Sequence, residues 1–363
     1  MARLTVIVPI YNKAPYLEAS LASIISGEFD DFSVILVDDG STDGSEIIAK
    51  AWDKKDTRFQ YIHQDNQGLS VARNTGIDAA KTDWVTFHDA DDIWHPDAVA
   101  ALLGDAEKEQ AEIAAGVFQR QNGDNIRVDK AFQIYQFIPD FKQDQHLAKK
   151  FSTHFSCCNK IFQRSLLKTN RFEAGLYMQD MDFWLRLLFS EYRFLQTEHV
   201  VATYIAHEGS ESRQRKAERF ESLFKLYDGL DQFYKDKSFQ AYAQVWQFAL
   251  LQGAIAFFAR WKLEDRNVEG LERICKLLQE IDESVLEAFF NEKNRGNIIT
   301  ILISIRDSHY DRAQIAHELG PQHFRKSLNR PATLDQIRQA IDPHAPEYEP
   351  SLMTKIRSKI GRL

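Results

Sequence analysis

Four polar clusters in this chain carry groups that could do chemistry, and they lie far apart in sequence. Asp38-Asp39-Gly40-Ser41 directly follows an apolar run. Gly40 permits a tight turn there, and an Asp in that place can accept a hydrogen bond from a nucleobase N–H. The same tetrapeptide reads equally well as a solvated turn with a helix cap. Asp89-Ala90-Asp91, with Asp92 following, closes the segment Trp84 to His88. Carboxylates at i and i+2 of an extended backbone share one face, and a turn would curl them around one ligand. Hard divalent cations take carboxylate and phosphate oxygens, and acids beside a bound diphosphate would repel it without such a cation. With no diphosphate to bind, the cluster is simply an acidic loop.

Asp180 opens a helical segment with Met181 to Phe189. It shares a stripe with Trp184, Leu187 and Leu188, so it projects with the apolar face, toward the interior or a cleft. Asp182 pairs at i+4 with Arg186, which predicts a surface salt bridge. The dipole and free N–H groups of a helix start account for an acid at position 180. A general base facing a bound hydroxyl accounts for it as well. His207 sits in Ala206-His207-Glu208-Gly209-Ser210, with Arg213 nearby. Imidazole can ligate Mn²⁺ or contact a phosphate, and Arg can hold a diphosphate. A single His at a strand end is as readily structural.

The elements that must position these groups alternate in type. Leu4 to Val8, Phe32 to Val37, Phe59 to His63 and Trp84 to His88 read as strands. Pro15 opens a helix carrying Leu17, Leu21, Ile24 and Ile25, and Thr42 is placed to cap a second. Leu69 to Ala80 is a third helix, and Pro96 starts a fourth. This rhythm predicts a mostly parallel sheet flanked by helices, an α/β fold whose ligands sit beyond the carboxyl ends of the strands. Tyr11 and Asn12, the Asp38 cluster and the Asp89 cluster all fall at such ends. Residues 111–205 are less regular, with strand-like pieces at Ile113 to Phe118, Phe132 to Phe137 and Thr197 to Ile205. From about Glu218 onward the chain reads as helical. The expected division is 1–215 for the catalytic domain, 216–343 for a helical C-terminal domain and 344–363 for a basic amphipathic tail.

Composition narrows the classes. The net charge of -8 disfavours nucleic acid as a partner, because phosphate backbones are held by clustered Lys and Arg. Three Cys, two of them adjacent, fit free thiols in a reducing compartment. The start runs straight into a strand-like segment and lacks the basic start followed by a long apolar run that a signal peptide needs. Ser238 to Ala259 carries no charged residue, but Gln240, Gln244 and Gln247 make a polar helical stripe that predicts a buried or half-buried helix rather than a membrane span. No GxGxxG follows a strand, which disfavours a Rossmann dehydrogenase. Val8 to Lys13 supplies no Gly-rich basic loop, which disfavours a nucleotidyltransferase.

Taken together, the clusters resemble family 2 of the inverting glycosyltransferases, of the bacterial polysaccharide-biosynthesis type. The resemblance rests on Val8-Pro9-Ile10-Tyr11-Asn12, Val37-Asp38-Asp39-Gly40-Ser41-Thr42-Asp43 and Gly68 to Gly76, followed by Asp89-Ala90-Asp91-Asp92 and Gln179-Asp180-Met181-Asp182. It covers roughly residues 1–213. It implies the GT-A fold and a nucleotide-sugar site containing Pro9, Tyr11, Asp39, Arg73, Asp89 and Asp91. In that site Tyr11 packs on the nucleobase, Asp39 bonds its edge, Arg73 lies beside base or phosphates, and Asp89 approaches the ribose. It makes Asp91 the principal ligand of Mn²⁺ or Mg²⁺, places His207 near that metal, and gives Asp180 the role of catalytic base. Two departures stand out. Gln179 occupies a place where the family often has Glu, and the QxxRW motif of processive synthases is absent: Arg260-Trp261 is present, but Phe257 stands where Gln would be.

The resemblance implies a single displacement at the anomeric carbon of a nucleotide sugar, a UDP-sugar on family grounds, by a hydroxyl of a glycan or lipid-linked acceptor. The alternative is a sugar-nucleotide-binding or scaffold protein that kept the fold without the activity. The expected location is the cytoplasm, with peripheral contact at the inner face of the membrane if the tail bearing Leu352, Ile356, Ile360 and Leu363 rests on anionic lipid. The helical domain could also mediate oligomerisation.

Overall fold

The computed structural model describes residues 2–129, 155–188 and 192–207, with single helical positions between 222 and 232. All of them lie in the first of two compact units, Met1–Tyr242. The strand expected at Phe132 to Phe137, Arg213, the uncharged run Ser238 to Ala259, nearly all of the helical C-terminal region and the basic tail fall outside the described residues.

The strands are β1 (Leu4–Ile10), β2 (Phe32–Asp38), β3 (Phe59–His63), β4 (Trp84–Phe87), β5 (Ile93–Trp94), β6 (Ile113–Asn122), β7 (Asn125–Val128), β8 (Lys160–Gln163) and β9 (Phe194–Ile205). They form one sheet in the order β3-β2-β1-β4-β8-β6-β9-β5, with β7 as a hairpin on β6. β3, β2, β1 and β4 run parallel, as the alternating pattern predicts. β8 inserts antiparallel between β4 and β6, and β5 is antiparallel to β9, so the second half of the sheet is mixed. β8 is four residues long and carries no alternating signal, which is why the sequence does not announce it.

Six helices are described: α1 (Ala14–Ile24), α2 (Ser45–Lys55), α3 (Leu69–Ala79), α4 (Pro96–Lys108), α5 (Arg164–Leu167) and α6 (Gln179–Leu188). β1 is buried at every position, as a continuous apolar strand covered on both faces must be. On one face Val6, Val8 and Ile10 join Leu17, Leu21 and Ile24 of α1 and Leu102 and Leu103 of α4 in the main apolar core. α2 starts at Ser45, not after Thr42. Asp43 Oδ1 takes both the Ser45 N–H and its hydroxyl, and Gly44 supplies the left-handed backbone, φ 98°, that turns the chain into the helix. Thr42 instead donates its N–H to Asn12 Oδ1, lacing the loop after β2 to the loop after β1.

A second packing layer matters for the site. Phe87 of β4, Phe162 of β8, Phe172 and Phe183 of α6 form a chain of ring contacts, with Phe172 and Phe183 stacked at 4.2 Å. This cluster seats α6 beside the end of β4. Such pairs contribute roughly 0.5–1.5 kcal/mol beyond burial.

Two consequences can be measured. A Cβ at Gly76 of α3 would lie 2.3 Å from Ile7 Cγ2, so Gly76→Ala should destabilise the fold by about 1–3 kcal/mol in chemical denaturation. His88 is fully buried with Nε2 on Ser20 Oγ, and burial lowers its pKa to about 4. Between pH 6.5 and 4 the unfolded imidazole holds a proton that the folded one does not. His88 therefore costs no stability above the upper value, and stability is lost as pH falls through the window, by about 3 kcal/mol at most. Thermal melts should show this fall, and His88→Gln should flatten it.

Candidate functional site

The site begins at the carboxyl ends of β1, β2 and β4. The Asp39 N–H donates to Ile10 O, the Gln64 N–H to Asp38 O and the His88 N–H to Ile7 O, so the four parallel strands hand over to their loops at one edge. Asn12 takes φ 52° and binds across to the β2 loop: its N–H donates to Ser41 Oγ and its Oδ1 accepts from Thr42. Tyr11, beside it, is 48% exposed, an aromatic face left open at a strand end.

The two acids of the first cluster separate in role. Asp38 is buried and structural, taking the Tyr61 hydroxyl at 2.8 Å and the Ser41 N–H at 3.0 Å. Burial raises its pKa, and these bonds more than offset that, leaving it lowered. Asp39 accepts from Gln64 Nε2 and the N–H groups of Gln67 and Gly68, at 2.7, 2.9 and 2.8 Å. Thr75 Oγ1 donates to Gln64 Oε1, which leaves the Gln64 amide nitrogen to face Asp39. A carboxylate has roughly four lone-pair sites, so about one remains for an outside donor.

The Asp89 to Asp92 segment is a turn, closed by the Asp92 N–H on Asp89 O. It splits the carboxylates instead of lining them on one face. Asp89 meets Arg73 Nη2 at 3.0 Å. Asp91 Oδ2 meets His207 Nε2 at 3.0 Å and also pairs with the Lys13 ammonium. Asp92 is buried and accepts the Ile205 N–H at 3.1 Å. Burial, then the charges of Asp89 and Asp91, push its pKa up to about 8. That bond holds the end of β9 so that His207, two residues on and stacked on Tyr16 at 4.0 Å, reaches Asp91.

Arg73 joins the remaining parts. The fold buries its guanidinium, 1% exposed, between two acids, with Nη1 on Asp180 and Nη2 on Asp89. It lies 5.1 Å from the Phe172 ring and 5.8 Å from Phe87. Burial opposes its charge, but Asp180 and Asp89 hold the pKa well above the ordinary value. Asp89 is held below its ordinary range, since Arg73 outweighs the cost of burial.

Asp180 sits in the first turn of α6 with its side chain 24% exposed, and its Oδ2 takes the Cys157 N–H at 3.2 Å. The loop bearing that N–H is pinned by Lys160, whose Nζ donates to Ser156 O at 2.6 Å and Asn159 Oδ1 at 3.0 Å. Burial lowers the Lys160 pKa to about 8. Burial and the nearby acids push the Cys157 and Cys158 thiols up, so neither is suited to act as a nucleophile. Trp184 and Leu187 are buried as the stripe predicts, but Asp182 is corrected. Its pair with Arg186 forms at 3.0 Å inside the protein, with Asp182 fully buried, because the other side of α6 is also covered. Gln179 is buried, with its side-chain amide against the backbone carbonyls of Leu176 and Tyr177.

Thus Asp89, Asp180 and Arg73 form one cluster, and Asp91, His207 and Lys13 a second, two residues along the same turn. No group of three or more metal-binding side chains occurs among the described residues. The second cluster nonetheless fits a hard divalent ion. Asp91 and His207 offer one oxygen and one nitrogen, and such ions commonly complete their shell with substrate phosphate and water. Lys13, Gln64 and the Cys157 N–H escape sequence reading. Lys13 alone had a signal, as it directly follows Asn12 at a strand end.

Arg73→Met should remove the shared counter-charge and cost about 3 kcal/mol in denaturant unfolding. Arg73→Lys should recover only part of that, because an ammonium lacks the planar fork that reaches two acids.

Residues 5–171 match the family model described as Glycosyl transferase family 2. The chain is 27% identical over 357 residues to Glycosyltransferase GlyA of Streptococcus pneumoniae, covering 90% of this chain and 50% of that protein. It thus spans about half the length of that relative. It is 28% identical to the putative glycosyltransferase EpsH of Bacillus subtilis, covering 79% of this chain and 84% of that one. Among solved structures, S. aureus TarS 1-349 in complex with UDP-GlcNAc superposes with a TM-score of 0.66 at 18% identity, over 90% of this chain and 92% of the other. At that identity the likeness is one of fold, and it is the GT-A fold.

Proposed function

We propose that this chain, whose residues 5–171 match the glycosyl transferase family 2 model, moves a sugar from a UDP-sugar to a hydroxyl of a glycan or lipid-linked acceptor, one sugar per encounter, with inversion. The observation that carries this reading is the Arg73 bridge. It ties the acid assigned to the donor, Asp89, to the acid assigned as base, Asp180, although 91 positions separate them in sequence.

In this reading the exposed ring of Tyr11 stacks on the base, backed by Pro9 in β1. The remaining lone-pair site of Asp39 accepts a base N–H, which suits uracil and rejects a ring nitrogen that only accepts. Asp89 orients the ribose. Asp91 and His207 would hold Mn²⁺ or Mg²⁺, which when bound would supply positive charge beside the departing diphosphate. Arg73 acts by positioning the acids and not by touching phosphate. Asp180, held from one side by Arg73 and from another by the Cys157 N–H, keeps an exposed part to receive the acceptor proton. Attack from that side displaces the nucleoside diphosphate in one step, so an α-linked donor yields a β-linked product. The TarS complex with UDP-GlcNAc supports the choice of UDP-sugar donor.

Among the described residues no helix is long and apolar enough to cross a membrane. Cys157 and Cys158 are free, which supports a reducing, cytoplasmic setting. We assign the acceptor side to bacterial polysaccharide assembly on the strength of the family.

Release of UDP from a panel of UDP-sugars tests the reading. Asp180→Asn should lower turnover by about 10²–10⁴-fold while UDP affinity stays near wild type. Asp91→Ala should instead abolish the Mn²⁺-dependent part of UDP binding in calorimetry. A wild-type rate in Asp180→Asn would remove the base assignment.

A further inference from the structure

We propose that Lys13 is a built-in cation that occupies the Asp91–His207 pair in the absence of metal and is displaced when a divalent ion binds. The inference rests on reading those two residues as the metal ligands. Lys13 Nζ pairs with Asp91 Oδ2, the same oxygen that His207 Nε2 meets at 3.0 Å. A divalent ion bridging that oxygen and that nitrogen would share its position with an ammonium. Like charges this close repel strongly in a half-dehydrated pocket, and the three side chains are only 23%, 15% and 12% exposed. Ammonium and metal are therefore competitors for one carboxylate.

The chain is built so that the exchange moves a side chain alone. The Lys13 backbone is pinned at the start of α1. Its N–H donates to Ser45 Oγ at 2.8 Å, and its carbonyl accepts the N–H groups of Tyr16 and Leu17, both at 2.9 Å. The four-carbon stem can rotate without disturbing these bonds. Asp91 and His207 are held independently, by the turn after β4, the Asp92 bond to Ile205 and the Tyr16 ring. These supports of Asp91 and His207 do not run through the Lys13 side chain.

Competition of this kind has a directional consequence. An anionic diphosphate at the mouth gives the displaced ammonium a new partner, so nucleotide should ease metal entry, and metal should tighten nucleotide by the same factor. Without nucleotide, the lysine keeps the metal affinity low.

Titration of the full chain with Mn²⁺, followed by the electron paramagnetic resonance signal of the free ion, tests this with and without saturating UDP. Lys13→Gln should bind Mn²⁺ on the order of tenfold tighter than wild type without UDP, with a smaller gap when UDP is present. Lys13→Met should repeat this if the Gln variant folds poorly, with folding checked by circular dichroism melts. Lys13→Arg, which keeps the charge, should stay near wild type. Asp91→Ala should lose the site. If the neutral variants bind Mn²⁺ no tighter than wild type while Asp91→Ala abolishes binding, the Lys13 inference fails and the metal reading stands. If wild type and Asp91→Ala bind Mn²⁺ alike, the metal reading fails and takes this inference with it.

Discussion

One buried guanidinium holds this site together. Arg73 leaves α3, passes under the end of β4 and divides its two nitrogens between Asp89 and Asp180. A fully buried cation is tolerable only when it is paired and hydrogen-bonded, so the fold must bring both acids to it. That requirement links the parallel half of the sheet, which carries Asp89, to α6, which carries Asp180. The aromatic cluster of Phe87, Phe162, Phe172 and Phe183 supplies the packing that keeps α6 there. Sidedness follows from the same contact: Asp89 and Asp180 face one centre because they share one counter-ion.

Around that centre the loops are held by short polar bonds and not by apolar burial. Asn12, Ser41 and Thr42 lace the first two loops together, and Asp43 caps α2. Gln64 and the backbone of Gln67 and Gly68 fix Asp39. Backbone groups at strand ends need partners once the sheet stops, and here side chains from neighbouring loops provide them. These bonds fill most of the accepting capacity of the Asp39 carboxylate.

Charge balance governs the acidic turn after β4. Asp89, Asp91 and Asp92 lie within four residues, and their mutual repulsion is relieved in three different ways. Asp89 takes Arg73, Asp91 takes Lys13 and His207, and Asp92 is pushed toward its neutral form by burial and by its two neighbours. Of the three, Asp91 is paired to two partly exposed side chains, while Asp89 meets the buried Arg73 and Asp92 a backbone N–H. That asymmetry singles out Asp91 within an acidic run whose members look alike in sequence.

The parallel strands β1 to β4, the helices between them and the strand-end positions of Tyr11, Asp39 and the Asp89 cluster were legible in the sequence. Each follows from local apolar runs, Pro and Gly punctuation, and the rule that ligands gather at carboxyl ends. The helix that opens near Asp180, with Trp184 and Leu187 inside, followed from its period. The short antiparallel β8 left no local trace, because its place comes from the edge that β4 offers. For the same reason the burial of Asp182, the turn that parts Asp89 from Asp91, the double grip of Arg73 and the contact of Lys13 with Asp91 were decided by tertiary structure. Local sequence sets which way a side chain leaves its own element. Which partner it meets depends on elements a hundred residues away, and buried charges take whichever counter-charge the fold delivers.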